Sequence, residues 1–235
     1  MDWRAFWNGR HSIYVNERHR AVHYARVADD IVAVLPGLAP VALDFGCGDA
    51  LFAERVAARC ARLYLCDAAP TVRERLAQRH AGNAKIAILA PDDVARLDDV
   101  GLDLVVTNSV LQYLTAGEFA KLAELWRRKL KPDGTLVLAD ILPPDDSLAA
   151  DIKGLLAPAL RHGFFFAALR GLAATFFSDY RRLRGTIGLT RYAEGDMIAR
   201  LAALGFKAER RHPNFGFNAR RMTFVARPAA PRDRP

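Results

Sequence analysis

Cysteine is scarce in this chain: Cys47, Cys60 and Cys66 make an odd count with no Cys-x-x-Cys spacing. Neither a disulfide framework nor a zinc site follows from them. No run of 18 apolar residues occurs, so a membrane-spanning helix is not expected. The opening Met1-Asp2-Trp3-Arg4 lacks the basic-then-apolar layout of a secretory signal, and a cytoplasmic protein with reduced thiols is the simplest expectation. A concentrated basic tract is missing as well. The formal charge of +8 comes from 34 basic and 26 acidic residues, and the Arg pairs at 127–128, 181–182, 210–211 and 220–221 are scattered, as on a solvated surface. Such a balance is compatible with nucleic acid, anionic lipid or an anionic substrate and does not choose among them. His19 and His23, four apart, share a helix face, but with no third ligand in evidence no metal site is expected.

What the chain does have is ordinary globular usage, 51% apolar and 26% charged over 235 residues, enough for one α/β domain with a well-buried core. The pattern alternates short apolar runs with amphipathic segments. A helix is expected from an N-cap at Asn16 to just before Pro36-Gly37, followed by strands at 41–45, 62–66, 85–89, 102–107 and 135–140. Helices are expected at 51–59, from Pro70 to Gly82, and after the capping box of Thr115 and Glu118. Strands alternating with helices imply a parallel sheet with right-handed crossovers. A last helix over 192–204 precedes an antiparallel hairpin of 206–211 and 221–226 at the sheet edge.

The most informative stretch is Val41-Ala42-Leu43-Asp44-Phe45-Gly46-Cys47-Gly48-Asp49-Ala50. A buried strand ends in a carboxylate and two glycines, and a helix is expected to begin near Asp49, so backbone N–H groups can approach a ligand closely. A dinucleotide fingerprint would need a third glycine at position 51, where Leu stands. The pattern that fits, acidic-x-Gly-x-Gly-x-small, resembles the first motif of class I S-adenosylmethionine-dependent methyltransferases. Leu130-Lys131-Pro132-Asp133-Gly134-Thr135-Leu136 resembles that family's approach to its fifth strand. The resemblance covers about residues 40–142.

The resemblance implies a three-layer Rossmann-like α/β sandwich, with a mostly parallel seven-stranded sheet, an antiparallel last strand, N-terminal helices and a helical lid. It also implies S-adenosyl-L-methionine as cofactor, with S-adenosyl-L-homocysteine as product. Asp44, Gly46, Cys47 and Gly48 then surround the methionine end, with Cys47 only a small turn residue. Asp67, followed by Ala68, closes the second strand, where a carboxylate can accept from both hydroxyls of a ribose. Asp92 or Asp93 faces the adenine amino group; Leu97, four after Asp93, favours the latter. Asn108 opens the segment beside the transferring methyl. Asn108-Ser109-Val110 stands where nucleobase amino methylases carry an (Asp or Asn)-Pro-Pro-aromatic run, which argues against that substrate.

The expected division is one methyltransferase domain over 1–227. Within it lie an N-terminal helical cap (1–36), the cofactor-binding core (40–142), a helical lid insertion (143–190), and a C-terminal helix and hairpin (191–227), followed by a disordered tail (228–235). The cap carries Trp3, Phe6, Trp7 and Tyr14, too aromatic for a free end. The lid is apolar and Arg-punctuated: Phe165, Leu169, Leu172 and Phe176 share a helical face, with Phe177 and Tyr180 beyond it and Arg170, Arg181 and Arg184 mostly turned away. It fits a core lid, a wall for a lipophilic acceptor, or a membrane-surface contact.

The expected function is in-line methyl transfer to a small lipophilic or aromatic acceptor. An RNA or protein methyltransferase and a non-catalytic cofactor-binding regulator are the alternatives, with nucleic acid disfavoured and oligomeric state open. Should the acceptor be a hydroxyl, His19, His23, Tyr113, His162 and His212 are candidate bases that sequence does not rank.

Overall fold

A computed structural model of the chain describes residues 14–145, 148–175 and 189–230. The expectations placed on Trp3, Phe6 and Trp7, on the side chain of Leu172, on Phe176, Phe177, Tyr180, Arg181 and Arg184, and on residues 231–235 lie outside the residues and side chains described.

The elements follow in the order α1 (Glu17–Val32), β1 (Val41–Phe45), α2 (Ala53–Arg59), β2 (Arg62–Cys66), α3 (Pro70–His80), β3 (Ile86–Leu89), α4 (Pro91–Val94) and β4 (Leu102–Asn108). A single 3₁₀ turn (Leu111–Tyr113) leads to α5 (Ala116–Lys129) and β5 (Leu130–Ile141). Then come α6 (Leu148–His162), α7 (Phe165–Thr175), α8 (Glu194–Ala203), β6 (Phe206–Arg211) and β7 (Met222–Pro228). The strands form one seven-stranded sheet in the order β3-β2-β1-β4-β5-β7-β6. Neighbours from β3 to β5 pair in parallel, while β7 runs antiparallel to both β5 and β6. The chain works outward from β1 to β3, then returns to lay β4 on the other side of β1. The crevice beyond the carboxyl ends of β1 and β4 is therefore the switch point at which such sheets bind ligands.

Period-two alternation along the central strands builds two cores, one on each face. Leu43 and Phe45 of β1, with Leu136 and Leu138 of β5, point toward α5 and α8 and pack with Phe119, Trp126, Met197 and Leu201. Ala42, Val137 and Ala139 point the other way, into α1, α2 and α3, against Ile31, Val56 and Leu76. Trp126 is fully buried and meets the Phe45 ring edge-on at 5.2 Å. Three layers result, as the resemblance implied.

The caps agree with the sequence. Asn16 accepts from the His19 N–H at 2.8 Å, and Thr115 and Glu118 cap α5 reciprocally.

Three of the boundaries that differ have an identifiable cause. Helix α2 starts at Ala53 rather than near Asp49, because the Asp49 N–H is taken by the Tyr24 hydroxyl at 2.8 Å and the Ala53 N–H by Ala50 at 2.9 Å. The helix N-terminal charge expected next to the glycines is thus displaced by a turn. Strand β5 begins at Leu130, not Thr135: Leu130 pairs with Leu102, and the pairing resumes at Leu104 with Thr135 after a shift in register. Pro132 and Gly134 fall within that irregularity, where a missing N–H and a close backbone approach are tolerated. Strand β7 continues through Pro228, which pairs only with β6, and the Ala229 N–H donates to Gly205 at 2.8 Å. Pro228 and Ala229, expected in a tail, are thus held by the sheet.

Candidate functional site

Strands β1 and β2 run in register, Asp44 beside Leu65 and Phe45 beside Cys66. That register sets Asp67 just beyond the Asp44 end of the sheet, on the neighbouring strand. Between the two, Gly46 and Cys47 both donate to the Cys66 carbonyl, at 2.7 and 3.1 Å, folding the turn back over β2. Gly46 and Gly48 are left-handed, with φ of 79° and 58°. A Cβ on Gly46 would stand 2.3 Å from Val110 Cγ2, and one on Gly48 2.5 Å from the Tyr24 hydroxyl. Both glycines are therefore required by backbone conformation and by space.

The two carboxylates differ in environment. Asp67 accepts from the Gly48 N–H at 3.0 Å and the Ala69 N–H at 2.8 Å, one on each oxygen. Each oxygen keeps a second lone pair for a further donor. Burial still pushes its pKa up, against those hydrogen bonds and the nearby Arg73, whose guanidinium also bonds the Asp67 and Ala68 carbonyls. Asp44 is buried, and burial together with the charge of Asp67 pushes its pKa up to about 7. A carboxylate held this way gains from any cation that enters beside it. Cys47 and Cys66 are buried, their thiols pushed up by the same burial and by the adjacent carboxylates, so neither is an activated nucleophile.

Beyond β3, Asp93 accepts from the Ala90 N–H at 2.9 Å and pairs with Arg96 at 2.6 Å, whereas Asp92 is exposed. Asp93 therefore already serves as a helix-capping residue. Asn108 ends β4 with its side-chain oxygen buried and without a hydrogen-bond partner, an acceptor that a bound donor would satisfy.

Sequence reasoning undervalued three groups. Tyr24 and Arg20 reach across from α1: the Tyr24 hydroxyl accepts from Asp49, and Arg20 joins Arg75 around the Asp49 carboxylate at 3.5 and 3.1 Å. Asp140, next to last in β5, has φ 60°, accepts from the Ser109 hydroxyl at 2.5 Å and pairs with Arg221 at 2.8 Å. Ser109 is also left-handed, at φ 59°. Left-handed non-glycine backbone gathered at the ends of β4 and β5 is strain of the kind that collects at functional sites. An acidic residue closing β5, as at β1 and β2, was the signal available in the sequence.

Of the candidate bases, His19 and His23 belong to one aromatic cluster. Tyr14 lies 5.3 Å from His19 and 5.4 Å from His23, and the His19 ring stacks on Phe164 of the α6–α7 corner at 5.2 Å. His23 feels the charge of Asp140, yet burial dominates and lowers its pKa; burial and His23 bring His19 to about 4. Burial thus favours the neutral form of both rings. His162 is exposed beside Phe217, and His212 is exposed on the β6–β7 loop. That loop lies along α1 rather than over the cluster: the Gly216 N–H donates to Asp30 at 2.8 Å and Arg26 lies over Phe217. Tyr113 sits in the 3₁₀ turn.

Residues 43–136 match a family model described as a methyltransferase domain. An uncharacterized methyltransferase of Mycobacterium tuberculosis is 34% identical over 127 residues, 52% of this chain; the match spans 60% of that relative's length. Among solved structures, DhpI in complex with S-adenosylhomocysteine superposes with a TM-score of 0.61 at 14% identity, covering 97% of this chain and 96% of that one. Magnesium protoporphyrin IX methyltransferase from Synechocystis PCC 6803, with the same molecule bound, gives 0.58 at 18% identity, covering 97% and 93%. These structures share the fold.

Proposed function

We propose, on the premise that this chain belongs to the class I S-adenosylmethionine-dependent methyltransferase family, that it transfers a methyl group to a small lipophilic or aromatic acceptor. The observation that carries the reading is the pair Asp44 and Asp67 on adjacent strand ends, around a turn of two left-handed glycines. Residues 1–227 act in this reading as one catalytic unit, with the insertion 143–190 as its lid.

The residues present fit the cofactor. Asp44, raised by burial, is suited to face an ammonium, and Asp67 retains lone pairs for a ribose diol. The glycine turn packs directly against Val110 and Tyr24, so the tight backbone of the cradle requires both glycines. Cys47 and Ala68 contribute backbone to the same cradle, and Asp92, exposed where Asp93 is engaged, is the better placed of the two to meet an adenine amino group. S-adenosylmethionine supplies a methyl group already activated by its sulfonium. The protein then has to align the acceptor and exclude water. Tyr14, His19 and Phe164 form an aromatic wall for the acceptor. His23, neutral and within the field of Asp140, takes the proton where the acceptor is a hydroxyl. The Asn108 oxygen is free to receive a donor from either ligand.

Calorimetric titration with S-adenosylhomocysteine tests the reading. Binding is expected for the wild-type protein, and Asp67→Ala weakens it by roughly 1–3 kcal/mol. A wild-type protein that gives neither heat nor a thermal shift ends the proposal. Incubation with methyl-labelled cofactor and a cell extract tests the acceptor class: label is expected in the organic-soluble small-molecule fraction, and label in RNA or protein overturns that part.

A further inference from the structure

The outer surface of the lid is unusual in composition and in exposure. Residues 152–178 contain no Asp or Glu, while Lys153, Arg161 and Arg170 lie among them. Leu160 is 66% exposed, Phe166 85% and Leu169 43%, three of the five exposed large hydrophobic side chains among the described residues. Phe166, Leu169 and Arg170 stand three and four apart on α7 and so share one face. Phe164, just before α7, and Ala168 within it are buried and pack against α1 and α6. Leu160 and Arg161 end α6 one turn earlier. At the corner between the two helices, Arg18 of α1 lies 3.5 Å from where a Gly163 side chain would begin, adding another cation.

We propose that this face of the lid docks on an anionic lipid bilayer. Exposed apolar side chains ringed by Arg match an interfacial helix, whose apolar side enters the headgroup boundary while its cations meet lipid phosphates. The charge complementarity is one-sided. Asp145 is paired with Arg220 and Glu17 with Arg20, and among the described residues no ion pair is made by Arg18, Arg161 or Arg170. No described helix is long and apolar enough to cross a membrane, so the geometry is that of lying on the surface. The inference does not depend on methyl transfer.

The test is co-sedimentation of the full chain with phosphatidylcholine vesicles, with and without phosphatidylglycerol. The protein is expected to pellet with the mixed vesicles at low salt, to be released by high salt, and to remain in solution with the neutral ones. Phe166→Ser with Leu169→Ser should reduce vesicle affinity by roughly tenfold or more, and Arg161→Gln with Arg170→Gln by a similar factor. All four side chains are exposed, so the melting temperature should be unchanged in both variants. Equal pelleting of wild type and both variants overturns the proposal, as does a wild type that ignores anionic vesicles. So does a wild type that buries Phe166 by self-association and stays off the lipid.

Discussion

Asp44→Asn is expected to make the ligand-free protein more stable at pH 8 and, at the same time, to abolish tight binding of S-adenosylhomocysteine. The two effects share a cause. Asp44 is buried beside Asp67, and its pKa in the fold is about 7 against an ordinary 3.8. The native state therefore holds a proton that the unfolded chain has released across that interval. Stability contributed by the neutral form is complete below the unfolded value, and it is lost as pH rises through the folded one. Between pH 4 and 7 the wild-type protein should lose up to roughly 4 kcal/mol from this site, the coupling with Asp67 being included. The Asn variant removes the ionisation, so its melting temperature should change less over the same range and exceed the wild type at pH 8. The cost appears on binding: a cation entering beside Asp44 restores the carboxylate, and without that charge affinity should fall by roughly 1.5–3 kcal/mol. Thermal melts from pH 4 to 8, with and without ligand, read both quantities. Parallel pH profiles for the two proteins would refute the electrostatic account of this strand end.

Gly46→Ala should cost more than an ordinary glycine substitution. The residue sits at φ 79°, a conformation that costs a non-glycine residue roughly 1–3 kcal/mol. The new methyl would also stand 2.3 Å from Val110 Cγ2, and overpacking of that kind costs typically about 1–3 kcal/mol more. Val110 is β-branched and has little rotamer freedom with which to retreat. The expected loss is roughly 2–6 kcal/mol in chemical denaturation, together with loss of cofactor binding as the turn shifts. Adding Val110→Ala separates the causes. The double variant should recover the steric part and retain the conformational part, so the two substitutions are non-additive in the direction of rescue. A Gly46→Ala protein as stable as the wild type would mean that the turn is not held as described.

These expectations start from residues that stood out in the sequence, and the reason is local. A short buried strand, a carboxylate and two spaced glycines constrain the chain within ten residues, so Asp44, Gly46 and Gly48 were readable before any tertiary contact. The capping box at Thr115 and the N-cap at Asn16 are local in the same sense, and both occur as read. The start of α2 was misplaced because the competing hydrogen bond comes from Tyr24, 25 residues earlier in the chain. The start of β5 was misplaced because Leu130 is drawn into the sheet by Leu102. Neither pairing leaves a trace in the segment it alters.

The ordering of the candidate bases came from folding. Five residues were equal in the sequence; packing of α1 against the lid corner brought His19 and His23 to Tyr14 and Phe164, and left His162 and His212 on exposed segments. Asp140 joined the site only when Ser109 and Arg221, 31 and 81 residues away, met its carboxylate.

By itself, the sequence determined the alternation of strands and helices, the glycine turn and the acidic strand ends, because each is written in neighbouring residues with a fixed period or spacing. Only the tertiary structure decided which carboxylates share a wall, which of them burial drives toward neutrality, and which lid side chains face outward. Those properties depend on what lies across the gap from a residue, and the partners across each gap come from distant parts of the chain.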